Sequence, residues 1–333
     1  MRRLRNYLHV CLLVTTLSAL MGSSQHVFAE QLTTGNEEEN PPDISHFEAT
    51  GLTISKRVDE VNLVFTVTDS GGKFISNLPA SQFDFLDNQR KPRSLGYFQQ
   101  QTNLPLRVAL LIDLSDSVRG RFQFEQRAAS VFLKNILRRD VDQAFIVGFD
   151  GDVHLVEDMT SDSDALAKAI HSLKSNGDTA LYDALVFSAE KLSATPEARV
   201  TRRAIILITD GLDTRSTKAL ADAQEAATRA NAVLYALSTN SLLAELHPKG
   251  DVILNSLALP TGGHILAARE ESDLKRAFRE VEKALRSQYA LGYIPADFKP
   301  DGSFRTIAIH PRKSKLKVQC RKGYFAPVET ASH

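Results

Sequence analysis

Five oxygen-bearing side chains stand where a metal ion could be held. Asp113, Ser115 and Ser117 are spaced by two in Asp113-Leu114-Ser115-Asp116-Ser117, directly after the apolar run Val108-Ala109-Leu110-Leu111-Ile112. Asp210 directly follows a second apolar run, Ala204 to Ile208, in Ile208-Thr209-Asp210-Gly211. Thr179 lies between them in Gly177-Asp178-Thr179-Ala180-Leu181, at the start of a helical pattern. All five are hard oxygen donors, with no His or Cys among them, which selects Mg²⁺, Mn²⁺ or Ca²⁺ over zinc or copper. Two carboxylates roughly balance a divalent charge and three hydroxyls add none. A remaining coordination position would therefore still attract an anion, and the carboxylate of a partner protein is the natural candidate.

The elements that must position these residues follow from hydrophobic patterning. The runs at 108–112, 144–147, 204–208 and 233–237 are continuously apolar, as strands buried on both faces of a parallel sheet are. Helical spacing separates them at about 124–136, 164–173, 181–192 and 218–230, and a charged helix over about 272–286 follows a short strand near 264–266. Alternating strands and helices define an α/β fold with a doubly wound, mostly parallel sheet. In such a sheet, ligand sites lie beyond the carboxyl ends of the strands, where Asp113 and Asp210 both emerge.

Outside this region the pattern is β. Val61, Leu63, Phe65 and Val67 alternate with polar residues, Phe83 and Phe85 mark a second strand, and strands recur at 289–294, 304–309 and 316–320. Each set is too short for a sandwich of its own. The economical division is a small β-sandwich-like domain built from 46–101 and 288–328, with the α/β domain of 102–287 inserted in or flanked by it.

The first residues read as a targeting segment. Arg2, Arg3 and Arg5 precede an apolar stretch from Leu8 to Met21 and then Val27-Phe28-Ala29. This predicts a secretory signal peptide over 1–29, cleaved after Ala29, followed by a solvated leader over 30–45. The rival is an uncleaved anchor, but the apolar run is short for a span and a cleavage pattern follows it. The mature protein is thus expected to be exported, to the periplasm, the cell surface or the medium, with no membrane span after signal removal. Of two cysteines, Cys11 lies in the signal, leaving Cys320 without an internal partner. Its alternation with Leu316 and Val318 reads as a small apolar residue on a strand. The 40 basic and 40 acidic residues cancel, which argues against a nucleic-acid partner.

At the five positions the sequence resembles the von Willebrand factor A domain family, whose metal-ion-dependent adhesion site is D-x-S-x-S, then a Thr, then an Asp after a later strand. Asp113, Ser115, Ser117, Thr179 and Asp210 match it in order, and the Thr-Ala-Leu-Tyr-Asp-Ala run at 179–184 and the Ile-Thr-Asp-Gly run at 208–211 are also typical. The likeness covers roughly 104–287, and the flanking β segments look like those of bacterial exported proteins with a related domain. It implies that Asp113, Ser115 and Ser117 act as direct or near ligands, and that Thr179 and Asp210 act directly or through water. It further implies an adhesion-type, protein-binding module whose cation takes an acidic group of a partner. Asp116 departs from the Gly common at its place. Asp116, Asp178 and Asp213 are expected to be solvated or to cap helices, and Asp150 and Asp152 to flank Gly151 in a hairpin turn.

Other chemistries fit less well. An EF-hand loop from Asp113 would need Gly where Val118 stands and Glu where Phe124 stands. An aspartyl phosphotransferase would want Asp where Ser115 stands. There is no Walker A loop, dinucleotide fingerprint, nucleophile elbow or H-E-x-x-H, and His154, His264 and His310 show no ligand spacing. No base or nucleophile is aimed at the open position, so the chain is read as a binding protein rather than an enzyme. The alternatives are a metal-dependent hydrolase and a structural module whose metal only stabilises loops.

Overall fold

The computed structural model describes residues 60–328 apart from 101–102, 117–118, 176, 195–199 and 241–248. The expected signal peptide and leader, residues 46–59 and Ser117 lie outside the described residues.

The α/β fold read from the sequence is present. Strands β4 (Leu106–Asp113), β5 (Gln143–Phe149), β6 (Val153–Thr160), β7 (Arg202–Thr209), β8 (Ala232–Ser238) and β9 (Ile265–Ala267) form one sheet in the order β6-β5-β4-β7-β8-β9. All neighbours are parallel except β6, which returns antiparallel along β5 at the edge. Alternation along β4 explains why its run is apolar throughout. Val108, Leu110 and Ile112 face a core shared with α1 (Phe122–Ile136), α2 (Ser163–Ser172) and α6 (Glu271–Arg286). Ala109 and Leu111 face the opposite core, shared with α3 (Leu181–Ala194), α4 (Leu220–Arg229) and α5 (Lys249–Ala258). On the first face, α1 and α6 meet through Phe132 and Phe278, stacked with centroids 4.5 Å apart.

Two antiparallel sheets accompany this domain. One has the order β12-β1-β10-β3, the other β13-β11-β2, where β1 is Val61–Thr68, β2 Phe83–Asp87, β3 Ser94–Gln100, β10 Gln288–Ile294, β11 Phe304–Pro311, β12 Lys317–Cys320 and β13 Gly323–Phe325. β1 lies between two strands from the far end of the chain, with Phe65 opposite both Tyr289 and Cys320. The inward faces share a core of Val61, Leu63, Phe65, Phe83, Leu291 and Ile307 with their neighbours. At its border Asp87 is 1% exposed and accepts from Tyr293 Oη at 2.8 Å, Tyr324 Oη at 2.9 Å and Arg305 Nε at 2.8 Å. That buried carboxylate is both paired and hydrogen-bonded, which burial of a charge requires.

The junction between sheets and α/β domain is direct. Helix α6 runs into β10 with only Ser287 between them. Arg202, at the start of β7, donates to the carbonyls of Leu285, at the end of α6, and Leu104. Lys322 N–H donates to Pro260 O at 2.8 Å, and Gln319 Nε2 donates to Gly263 O at 2.8 Å.

Helix α5 and strands β3 and β13 had no named counterpart in the sequence patterning. Cys320 is half-buried on β12 and packs with Leu316 and Val318 against the core of the β sheets. Burial pushes its thiol up to about 11, so it is an unreactive protonated group at neutral pH. Among the described residues no helix is long and apolar enough to cross a membrane.

Candidate metal centre

Asp113 ends β4 and is wholly buried; the register Ile112–Ile208 places the end of β7 beside it. Its carboxylate accepts from Thr209 Oγ1 at 2.5 Å and from Ser115 N–H at 2.8 Å. Burial, foremost, and the charge of Asp210 push its pKa up, against those hydrogen bonds. Among the described residues no lysine or arginine pairs with it. Two carboxylates at the buried end of a sheet, with no cation set against Asp113, form the electrostatic setting that a divalent ion relieves.

Three loops are tied together around this point. Asp116 N–H donates to Gly177 O at 3.2 Å, joining the Asp113 loop to the Thr179 loop. Thr179, 5% exposed, donates its N–H to Thr214 Oγ1 at 3.0 Å and accepts at its carbonyl from the N–H groups of Thr214 and Arg215. Those bonds join the Thr179 loop to the segment following Asp210. Asp210, 9% exposed, accepts from Leu212 N–H at 3.0 Å, while its carbonyl accepts from Asn240 Nδ2 at 2.8 Å. Asn240 in turn donates to Asp251 Oδ1 at 2.7 Å, which also accepts from Ser238 Oγ at 2.5 Å. Gly211 sits at φ +83°, and a Cβ there would meet Gly250 O at 2.6 Å and Leu254 Cγ at 2.7 Å. Only glycine takes that conformation in that space.

Thus Asp113, Ser115, Thr179 and Asp210 come to one carboxyl edge of the sheet, and Ser117 lies outside the described residues. All the described members offer oxygen, so the set fits a hard divalent ion. The neighbouring acids play other parts. Asp116 is exposed and pairs with Arg119 at 2.6 Å. Asp213 Oδ1 accepts from Leu181 N–H at 2.8 Å and Ser216 Oγ at 2.6 Å, so it caps α3, the helix before it in the chain. Asp150 and Asp152 close the β5–β6 hairpin, and Asp150 also pairs with His154 at 3.0 Å.

Two residues here escaped the sequence reading. Thr209 clamps Asp113 through its hydroxyl, and its place one residue before Asp210 is the only trace it leaves in the sequence. Glu125 is 1% exposed on the inner face of α1; among the described residues neither carboxylate oxygen has a hydrogen-bond donor, and Arg121 Nε lies 3.3 Å away. Burial raises its pKa to about 8; Arg121 opposes this and Asp113 adds to it. Arg121 also donates to Thr239 O and Oγ1, tying the start of α1 to the end of β8. A glutamate at apolar spacing, between Phe122 and Ala129, was the available clue.

A doubly wound sheet with an oxygen-donor set at its carboxyl edge defines a class, and residues 108–212 match the family model of the von Willebrand factor type A domain. This stretch of the chain is similar to that family. A protein of unassigned function from Synechocystis sp. is 32% identical over 110 residues, which span 32% of this chain and 26% of that one. The match thus covers about a quarter of that relative's length. Among solved structures, the von Willebrand factor domain of the type V pili tip protein Mfa5 from Porphyromonas gingivalis is similar over 54% of this chain and 95% of its own, with TM-score 0.47 and 12% identity. Proximal thread matrix protein 1 from the mussel byssus, with a zinc-occupied metal-ion-dependent adhesion site, is similar over 58% of this chain and 48% of its own, with TM-score 0.46 and 17% identity.

Proposed function

We propose that this is an exported protein-binding module that holds a divalent cation through Asp113, Ser115, Ser117, Thr179 and Asp210 and offers the cation's open position to an acidic side chain of a partner protein. Mg²⁺ is the ion favoured by the all-oxygen set, with Mn²⁺ and Ca²⁺ the alternatives. The supporting observation is the buried Asp113 carboxylate, beside Asp210 and with no cationic side chain paired to it among the described residues. When bound, the ion acts as a Lewis acid toward an incoming carboxylate. The chain's own residues orient that event: Thr209 and Ser115 fix the Asp113 carboxylate, and Asn240 and Gly211 seat the Asp210 loop. Residues 102–287 would form the binding domain and 46–101 with 288–328 the domain that carries it. The amino-terminal pattern supports export, which places the module in the periplasm, at the cell surface or outside.

The test is calorimetric titration of Mg²⁺, Mn²⁺ and Ca²⁺ into the mature protein and into Asp113→Ala, followed by capture of partners from the native envelope with and without chelator. Saturable binding to the first protein alone, with chelator-sensitive capture, is the expected result. Absence of metal binding would overturn the proposal. Metal binding with capture that ignores chelator would make the ion structural, and turnover of phosphoester or peptide substrates lost in Asp113→Ala would make the chain a hydrolase.

A further inference from the structure

Gln319 of β12 and Lys322 just beyond it reach across to the turn before β9. Lys322 N–H donates to Pro260 O at 2.8 Å, and Gln319 Nε2 donates to Gly263 O at 2.8 Å. Gln319 Nε2 also lies 3.1 Å from His264 Nδ1. The approach is close: Gly262 has φ +85°, and a Cβ there would meet Arg321 N and Cys320 C at 2.7 Å. At this contact His264 has the one side chain of the type that changes charge between pH 5 and 8.

The hydrogen bonds fix which ring nitrogen carries the proton. Gln319 donates to a carbonyl, so its nitrogen, and not its oxygen, faces Gly263. An amide nitrogen only donates, and its second hydrogen is left for Nδ1. Nδ1 must therefore accept, which puts the ring proton on Nε2. Nε2–H in turn faces Glu280 Oε1 of α6 at 3.3 Å. In its neutral form one imidazole thus bridges α6 and β12.

Charging the ring breaks this arrangement. A proton on Nδ1 sets donor against donor. Gln319 can accept from Nδ1 only by turning its oxygen inward, and the carbonyl of buried Gly263 then loses its donor. The side toward Glu280 keeps its contact, because both members of that pair are then charged. The other groups around the ring do not offset the change. On α6, Arg276 lies one turn before Glu280 and is paired with Asp273. β8 presents Tyr235 edge-on, with ring centroids 5.4 Å apart, and burial keeps its hydroxyl protonated. β12 presents the uncharged Gln319, followed by the protonated Cys320 thiol and by Arg321, whose Nη2 donates to Asn62 O. β9, which follows His264, is apolar.

We infer that His264 is a proton-operated latch between the α/β domain and the antiparallel sheets: neutral, it holds Gln319 of β12, and charged, it keeps Glu280 and releases Gln319. β1 lies between β12 and β10, and β10 follows α6 after Ser287 alone. Release therefore frees the β12 side of that sheet while the α6–β10 side stays fixed. None of these residues belongs to the metal centre, so the latch does not depend on an ion.

The test uses the full mature chain in chelator. Long-range ¹⁵N–¹H correlation at pH 8 should show His264 protonated at Nε2 alone. The protection factor of the Lys322 amide, read by hydrogen exchange, should fall about threefold to tenfold from pH 8 to pH 5, the weight of one net hydrogen bond. His264→Asn, whose Oδ1 takes the place of Nδ1 without titrating, should keep the same protection at both pH values. Gln319→Glu should reverse the direction, because a carboxylate accepts from the charged ring. Protonation of Glu125 raises global stability over the same interval, so a general effect of pH would increase Lys322 protection rather than lower it. Three results would overturn the inference: a proton on Nδ1 at pH 8, equal Lys322 protection at both pH values in the parent, or a loss that persists in His264→Asn or Gln319→Glu.

Discussion

Replacing Asp113 by Asn should stabilise the metal-free protein while abolishing its response to metal. The carboxylate is wholly buried, and burial and Asp210 both act against its charge. Asn keeps the shape and can keep both hydrogen bonds. Its Oδ1 still accepts from Ser115 N–H, and its amide can donate to Thr209 Oγ1, whose hydroxyl proton turns away. The mutation thus removes a desolvated charge without leaving a buried polar group unpaired. Such a change is worth about 1–3 kcal/mol in favour of the folded state. With metal the order reverses. At a free ion concentration about a hundredfold above Kd, the parent gains roughly 2.7 kcal/mol, and Asp113→Asn gains nothing. Urea unfolding near neutral pH, run in chelator and again in Mg²⁺, measures both. The two curves should cross over: the variant is the more stable protein in chelator and the parent equals or exceeds it in Mg²⁺. A variant less stable than the parent in chelator would show that the Asp113 charge is compensated within the protein, and the argument for a cation would fail.

Glu125→Gln tests the other buried acid. The folded carboxyl titrates at about 8 against an ordinary 4.5, so the folded state holds the extra proton. Metal-free stability should then fall as pH rises from about 4.5 to about 8, by a few kcal/mol in all. The urea midpoint of Glu125→Gln should lose most of that slope, and an unchanged slope would refute the assignment. Gly211→Ala should cost about 2–4 kcal/mol, because φ is +83° and the new methyl meets Gly250 O and Leu254. It should also weaken Mg²⁺ binding in calorimetry more than an equally destabilising core change such as Leu133→Ala, since Asp210 is adjacent to the strained residue.

The sheet and most helices were legible because each obeys a local rule. Continuous apolar runs give β4, β5, β7 and β8, and 3.6-residue spacing gives α1, α2, α3 and α6. The elements that escaped are those whose causes are tertiary. Helix α5 begins at Lys249-Gly250, exposes Val252 at 61% and is followed by Pro260, so its local propensity is weak. It is held by the Asn240–Asp251 hydrogen bond and by Gly250 seated under the Asp210 loop. Strand β13 has three residues and exists because β11 pairs with it. The proposed oxygen donors are read by type and spacing alone. Thr209 and Glu125 are not, because their roles come from neighbours across the sheet and across α1 rather than along the chain.

The polarity of the sheet gives the arrangement a functional sense. The contacts of Gln319, Lys322 and Phe325 with the α/β domain fall at the amino edge of its strands. Pro260 and Gly263 precede β9, and Arg229 precedes β8. Asp113 and Asp210, of the proposed metal site, lie at the carboxyl ends of β4 and β7, about eight residues farther along strands that rise roughly 3.3 Å per residue. The two edges are therefore some 25 Å apart. A partner reaching Asp113 and Asp210 would approach the edge opposite those contacts. The buried guanidinium of Arg202, which holds the last turn of α6 and the approach to β4 at once, makes the amino edge a fixed platform. Through it, α6 enters β10, the strand that lies between β1 and β3. Metal binding at the carboxyl edge should accordingly leave this platform unchanged, and hydrogen exchange at the Leu285 and Gln288 amides with and without Mg²⁺ checks it: equal protection means a rigid platform, and a change means that α6 moves.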